Sequence, residues 1–411
     1  MHYIVILGAG YGGLRTTLKL SELISQHKEV SIVLINKHNY HMLMTQLHET
    51  ATGTSKAEDL MVPIERVLEG KGITFIKGWV DDISLEQRHI VIDNGTRIIP
   101  FKYLVIALGS EPEYYDIPGL KENSMCLRSL YSSLEIRRQI DRLIADYTKN
   151  TLEGNKEPLT FVIGGGGLTG VEFAGELSYH LRHMSKQSGL IPRDYKIIMV
   201  EGSKELLPGS PEDISAYSLS ALEESGVEVI TGDFIKEVSK TAIALASGRS
   251  LNYSMLIWAG GVRGNNILAR SSLKTDSKGR VPVNQYLQYI EDPFVYLVGD
   301  NALAVNPTSG KPVLPTAQAA LQQGELVANN IYADLFGKEK RIYHPSSLGT
   351  IISIGRKKGV GEIKSIKLRG TTASLLKSVI PRKYLYSIGG FKMLSPDLRG
   401  NTIDQSNPKL L

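Results

Sequence analysis

Ile4-Val5-Ile6-Leu7-Gly8-Ala9-Gly10-Tyr11-Gly12-Gly13 is the stretch on which the fold turns. An apolar, β-branched run ending in glycines predicts a strand, a tight turn and then a helix. Gly8, Gly10 and Gly13 fall on the GxGxxG spacing. The first permits the turn, the second lets backbone close on a pyrophosphate, and the third lets the helix pack on the strand. The helix N-terminus adds partial positive charge. The same pattern returns 157 residues later, where Phe161-Val162-Ile163 precedes Gly165, Gly167 and Gly170. Each unit runs on into another strand-like segment, at 30–35 and 197–200. Strands alternating with helices imply parallel sheets built from βαβ units. One glycine motif is weak evidence, but two in strand–helix context predict two dinucleotide sites.

The expected fold is therefore α/β, with two Rossmann-like dinucleotide-binding domains, the second inserted into the first. Short apolar strands at 103–107 and 294–298 would return the chain to the first domain. The expected division is 1–115 and 271–338 for the first domain, 116–270 for the inserted one, and 339–411 for a separate C-terminal region. At 411 residues the chain is too long for one core. With 42% hydrophobic and 22% charged residues it has a soluble globular profile. A lone Cys126 excludes a disulfide framework, a cysteine zinc site and a CxxC redox pair, and fits a reducing compartment. No metal site is expected. No basic segment leads an apolar stretch at the start, and no run of about 18 apolar residues exists to span a membrane.

An acid at the end of the strand after the glycine loop holds a ribose diol. Glu201 fills that place in the second unit, and its charge favours NADH over a 2′-phosphorylated dinucleotide, although Arg193 and Lys196 lie near in sequence. Asn36 fills it in the first unit, able to hydrogen-bond a hydroxyl but without charge. Val298-Gly299-Asp300 closes a strand on an acid that either holds the ribityl chain of FAD or caps the next turn. Pro315 suits a helix start. A helix beginning there could aim its N-terminus at the flavin pyrimidine ring, near Ala317 and Gln318. Gln318 and Gln322, four apart, share one face as either quinone-carbonyl donors or plain surface amides. Glu172 and Glu176 are also four apart, early in the second loop helix, where they either complement its dipole or serve the chemistry. His41 and His48 are read as core or interface histidines.

The C-terminal region is basic: from Lys338 onward 15 Lys/Arg face 4 Asp/Glu, +11, which leaves −6 on the preceding residues. After a β-like run at 350–355, Leu375, Leu376, Val379 and Ile380 take helical spacing around Lys377. Pro381 should break or restart that helix, and Tyr384, Leu385 and Ile388 resume an apolar face beside Arg382 and Lys383. An interfacial helix on anionic lipid fits, as does a dimerisation helix or a packed terminal helix.

Taken together these pieces resemble the single-subunit type II NADH:quinone oxidoreductases of the two-dinucleotide flavoprotein superfamily, from Gly8 to about Gly390. The resemblance rests on Tyr40-His41 through Thr45, Ala51-Thr52-Gly53, Ala107-Leu108-Gly109-Ser110, Gly170-Val171-Glu172-Phe173-Ala174-Gly175-Glu176-Leu177, Trp258-Ala259-Gly260-Gly261-Val262-Arg263-Gly264-Asn265, and Val298-Gly299-Asp300. Most discriminating is Pro315-Thr316-Ala317-Gln318-Ala319-Ala320-Leu321-Gln322-Gln323-Gly324, which matches an AQxxxQ element tied in that family to the quinone site. The resemblance implies FAD on the first loop with Thr45, Gly109, Asp300, Ala317 and Gln318, and NADH on the second with Gly261. It also implies Glu172 near nicotinamide and flavin, orienting NADH or passing protons toward the quinone. Electrons would run from NADH through FAD to a membrane quinone, two at a time and without proton pumping. The enzyme would sit peripherally on the cytoplasmic face of the membrane, its C-terminal region on anionic lipid; a homodimer is expected only as the usual symmetry of soluble oligomers. Nucleic acid is not an expected partner, since no recognition motif is present. Two rivals stand beside this reading: a soluble NADH:acceptor flavin reductase, and a non-catalytic FAD/NADH-binding sensor.

Overall fold

The computed structural model describes residues 2–150, 157–188 and 190–395. Its first sheet runs Gln288–Tyr289, Asp292–Leu297, Tyr103–Ile106, His2–Leu7, Val30–Asn36, Thr74–Lys77 in spatial order. Ile4, Val5, Ile6 and Leu7 are wholly buried, because helices or hairpins cover both faces of the sheet. Strand Asp292–Leu297 lies parallel to Tyr103–Ile106, so the chain does return to this sheet after its long excursion. The second sheet, Met125–Cys126, Met255–Trp258, Leu159–Gly164, Tyr195–Glu201, Val227–Thr231, repeats the plan within that excursion. Each sheet has a three-stranded antiparallel accessory sheet beside it in sequence, 80–100 in one unit and 235–252 in the other.

The loop helices are Tyr11–Leu23 and Leu168–Ser188. Helix Ala317–Phe336 lies along the first of them at backbone distance, since a Cβ on Gly324 would stand 2.4 Å from the Gly12 carbonyl oxygen. Its start differs from the expected one. Thr316, not Pro315, caps it, the Thr316 hydroxyl accepting the Ala319 N–H at 3.1 Å.

The C-terminal unit is a three-stranded antiparallel meander, Gly349–Ile354, Lys358–Ile363 and Ile366–Arg369, followed by helix Gly370–Gly389. Ile352, Ile354 and Val360 join the core of the second unit, while Leu385, Ile388 and Met393 join that of the first. Two expectations are corrected here. Pro381 lies inside one continuous helix rather than ending it. Its missing N–H forfeits a single bond, and Leu385 and Ile388, anchored in the core, hold the following turns in line. Leu385 and Ile388 therefore belong to the protein interior and not to a lipid-facing side. Among the described residues no helix is long and apolar enough to cross a membrane.

Candidate active site

Both glycine loops are shaped to take a ligand. A Cβ on Gly8 would strike the Ala107 carbonyl oxygen at 2.3 Å and one on Gly13 the Gly8 carbonyl oxygen at 1.9 Å, whereas one on Gly10 meets nothing within 4 Å. Gly165, Gly170 and Gly167 repeat this in the second loop: two glycines demanded by the chain, and one facing open space. The first loop helix has no side-chain cap, and neither loop helix carries an acid in its first turn, so the amides and dipole are left for an anion. At the same carboxyl edge of the first loop's sheet, Ser110 donates to Asp300 at 2.6 Å, and burial pushes the Asp300 carboxyl above its usual range. Gly109, at φ +71°, also faces open space. These features fit a dinucleotide with a polyol arm on the first loop.

The strand-end side chains are occupied by the loops themselves. Asn36 accepts the Ala9 N–H at 3.0 Å and donates to the His38 carbonyl at 2.8 Å. Glu201 accepts the Gly166 N–H at 2.6 Å and the Ser203 N–H at 2.7 Å. Each thus fixes the shape of its glycine loop. Thr45 meets the Tyr11 hydroxyl at 3.2 Å, and Gly261, at φ +145°, lies beneath the Tyr115 hydroxyl. Gln318 and Gln322, on one face as expected, both donate to the Ser346 carbonyl, at 3.2 and 2.7 Å.

Glu172 has the most consequential surroundings. It is buried in the second loop helix and accepts from Lys377 Nζ at 2.7 Å and the Ser353 N–H at 3.3 Å, with His48 Nδ1 3.8 Å away. Burial alone would raise its pKa. Lys377 first, then His48 and the Ser353 amide, outweigh that and hold the carboxyl below its ordinary range. Burial holds the His48 imidazole below its ordinary pKa, against the opposing pull of Glu172. Lys377 is therefore not one of the lipid-facing flanks expected from the sequence. It turns inward, also donating to the Ile351 carbonyl at 3.1 Å. The terminal helix makes a second inward contact, the Tyr384 hydroxyl meeting His41 Nε2 at 3.0 Å, while His41 Nδ1 binds the Ala9 carbonyl at 2.7 Å. Nothing in the sequence pattern separates these inward residues from their outward neighbours, because Lys377 sits among leucines and valine like any snorkelling flank.

Glu176 stands one turn along. Burial, then the Glu49 charge, push its carboxyl up to about 7. A folded-state value above the unfolded one means the folded protein binds this proton more tightly. Its stabilising share is complete below about 4.5 and lost as pH rises through about 7. Glu176→Gln should therefore leave denaturant melts unchanged near pH 4 and raise stability at pH 8, by on the order of 3 kcal/mol at most. A loss of stability at pH 8 would contradict this.

Residues 2–324 match the pyridine nucleotide-disulphide oxidoreductase family model, and the chain belongs to that family. It is 33% identical over 390 residues to the type II NADH:quinone oxidoreductase of Staphylococcus aureus, a match covering 94% of this chain and 96% of that protein. Within the larger family, then, the chain is a member of the type II NADH:quinone oxidoreductases. The fold agrees. NDH2 from Plasmodium falciparum, solved with NADH, superposes with a TM-score of 0.82 at 19% identity, over 97% of this chain and 96% of that one. The sulfide:quinone oxidoreductase of Aquifex aeolicus gives 0.79 at 20% identity, over 95% and 93%.

Proposed function

We propose that the chain binds FAD on the first glycine loop and NADH on the second, and reduces a membrane quinone at the expense of NADH without pumping protons. The observation that carries this reading is helix Gly370–Gly389, which faces two ways. Lys377 and Tyr384 reach in to Glu172 and His41, while Leu375 is 70% exposed and Val379 and Ile380 are exposed beside it. One element thus joins the buried chemistry to the outside, where a lipid-borne acceptor would arrive.

Bound FAD supplies the two-electron carrier between the substrates. The balance is NADH + H⁺ + quinone → NAD⁺ + quinol, so one proton per turnover has to reach a water-poor interior. Glu172, buried, and its partly buried partner Lys377 form the ion pair across which that proton can be handed on. Gln318 and Gln322 already direct two amide donors at a carbonyl oxygen, that of Ser346, which is the acceptor chemistry a quinone carbonyl presents. Glu201 sets the loop that receives NADH, and its charge disfavours a 2′-phosphate.

The test is to mix FAD-loaded protein with NADH anaerobically, follow flavin absorbance, and then add a short-chain quinone. Bleaching followed by quinone-dependent recovery is expected. Bleaching that quinone cannot reverse would leave a flavin reductase with another acceptor, and no bleaching would leave a nucleotide sensor.

The same helix is proposed to rest on an anionic lipid surface, at the cytoplasmic face, through Leu375, Leu376, Val379, Ile380 and the exposed Arg382 and Lys383. Its continuation carries Phe391, 74% exposed. Leu375→Glu with Ile380→Glu should abolish sedimentation with vesicles of anionic lipid, while turnover of a soluble short-chain quinone stays within about twofold. Unchanged sedimentation would remove this surface from the proposal. A twofold homodimer is the proposed assembly, as the commonest symmetry of soluble oligomers.

A further inference from the structure

Tyr115 lies where the chain crosses from the first sheet to the second, and its backbone is in the left-handed region at φ +51°, followed by Asp116 at φ +52°. Two consecutive non-glycine residues there are sterically disfavoured, and such strain persists where the surroundings enforce it. The enforcement is visible. Glu113 donates its N–H to the Gly261 carbonyl at 3.0 Å, the Trp258 indole N–H donates to the Glu113 carbonyl at 2.6 Å, and the Tyr115 N–H donates to the Glu113 carboxylate at 3.0 Å. The connecting segment is thereby stitched across the end of strand Met255–Trp258, and the strained turn aims the Tyr115 ring over the following glycines.

The phenol hydroxyl donates to the Gly260 carbonyl at 3.2 Å, and a Cβ on Gly261 would stand 2.6 Å from it. The ring stands edge-on to Trp258, centroids 6.4 Å apart, yet Tyr115 is 52% exposed. This tyrosine is therefore held in place without being part of the core. Beneath it, Ala259 and Gly260 abut the second glycine loop, for a Cβ on Gly165 would meet the Ala259 carbonyl carbon at 2.6 Å. The Glu201 carboxylate, on the other side of that loop, is near enough to act on the phenol's ionisation, after burial and Glu113. A half-exposed ring with a hydroxyl, carried on a strained turn, thus stands over Gly260 and Gly261, which abut the second glycine loop at Gly165.

We propose that Tyr115 is a latch for NADH: its ring lies against the bound dinucleotide, and its hydroxyl exchanges the Gly260 carbonyl for a polar atom of the substrate. This rests on NADH occupying the second loop. Strain at 115–116 keeps the ring over the loop when the site is empty.

The protein has two tryptophans, so Trp79→Phe leaves Trp258, the ring's neighbour, as sole reporter. In that background NAD⁺ is titrated by Trp258 emission, and steady-state rates are taken with NADH and a short-chain quinone. Tyr115→Ala should weaken NAD⁺ binding and raise the NADH KM about tenfold, with kcat within about twofold and the quinone KM unchanged. Tyr115→Phe, which keeps the ring, should restore most of the affinity. Tyr115→Gly should melt no lower than the parent, because glycine accepts the left-handed backbone, yet bind NAD⁺ as poorly as the alanine variant. A Tyr115→Gly protein with parental affinity for NAD⁺ and NADH would overturn the latch. So would a Tyr115→Phe protein no better than alanine. Failure of the parent itself to bleach with NADH would instead overturn the assignment of NADH to this loop.

Discussion

Gly13→Ala should yield a protein that does not fold to a cooperative, FAD-binding state, while Gly10→Ala should fold normally and fail only to hold FAD. The two substitutions add the same methyl group three residues apart. At Gly13 that methyl would lie 1.9 Å from the Gly8 carbonyl oxygen and 3.1 Å from the Ala107 Cβ. The obstacle is mainly backbone, at the junction of the first strand, its loop and its helix, so no rotamer change relieves it. Overpacking of a well-filled interior costs about 1–3 kcal/mol when side chains can give way, and more is expected here. At Gly10 the methyl meets no protein atom within 4 Å. It takes up only the space a pyrophosphate needs. Thermal melts of FAD-free protein together with FAD titrations separate the two. A Gly10→Ala protein with parental FAD affinity would show that the first loop does not cradle the pyrophosphate.

Lys377→Met should destabilise the protein by about 3 kcal/mol at neutral pH, because it leaves a buried carboxylate without its cation. The ion pair spans 2.7 Å, with the Glu172 side chain 8% exposed. In the parent, Glu172 titrates below its usual value, so its contribution is present above about 4.5 and is lost as acid titrates the folded carboxyl. In the variant, burial prevails and the folded pKa moves above the unfolded one. The penalty then has the opposite slope: full near pH 8, and shrinking as pH falls and Glu172 takes up a proton. His48, 3.8 Å away, is the remaining partner, but its own burial opposes charging. Glu172→Gln combined with Lys377→Met should recover most of the loss. Urea melts of the four proteins from pH 5 to 8 form the cycle. Penalties that simply add, or that ignore pH, would show that the pair does not stabilise the folded state. Quinone-dependent turnover should fall with Lys377→Met even where the protein is fully folded, since the proton-holding pair is gone.

Much of this architecture could be read from local sequence. A glycine loop is an arrangement within one strand, one turn and one helix, and the residues that make it are contiguous. Gly8, Gly10 and Gly13, and their counterparts Gly165, Gly167 and Gly170, therefore announce the strand–turn–helix geometry by spacing alone. The return of the chain at 292–297 was legible for a similar reason, as a short apolar run closing on Gly299 and Asp300. The site's electrostatics were less so. Glu172 and Lys377 are 205 residues apart and meet only because the C-terminal meander docks on the second loop helix, where Gly175 packs against the turn at Gly355. The amides of Gln318 and Gln322 likewise have a partner, Ser346, in a segment whose path no periodicity describes.

The terminal helix marks the division most sharply. Its sequence fixes that it is a basic helix with apolar residues on more than one side. Which of those sides meets protein depends on what the rest of the chain presents to it. The first unit offers a core that takes Leu385 and Ile388, and the second offers a buried carboxylate that takes Lys377. Only then are Leu375, Val379 and Ile380 left outside. Periodicity determines that a helix has faces, because that is a property of 3.6 residues per turn. The partner of each face is settled by long-range packing, in which distant residues satisfy one another's burial and charge.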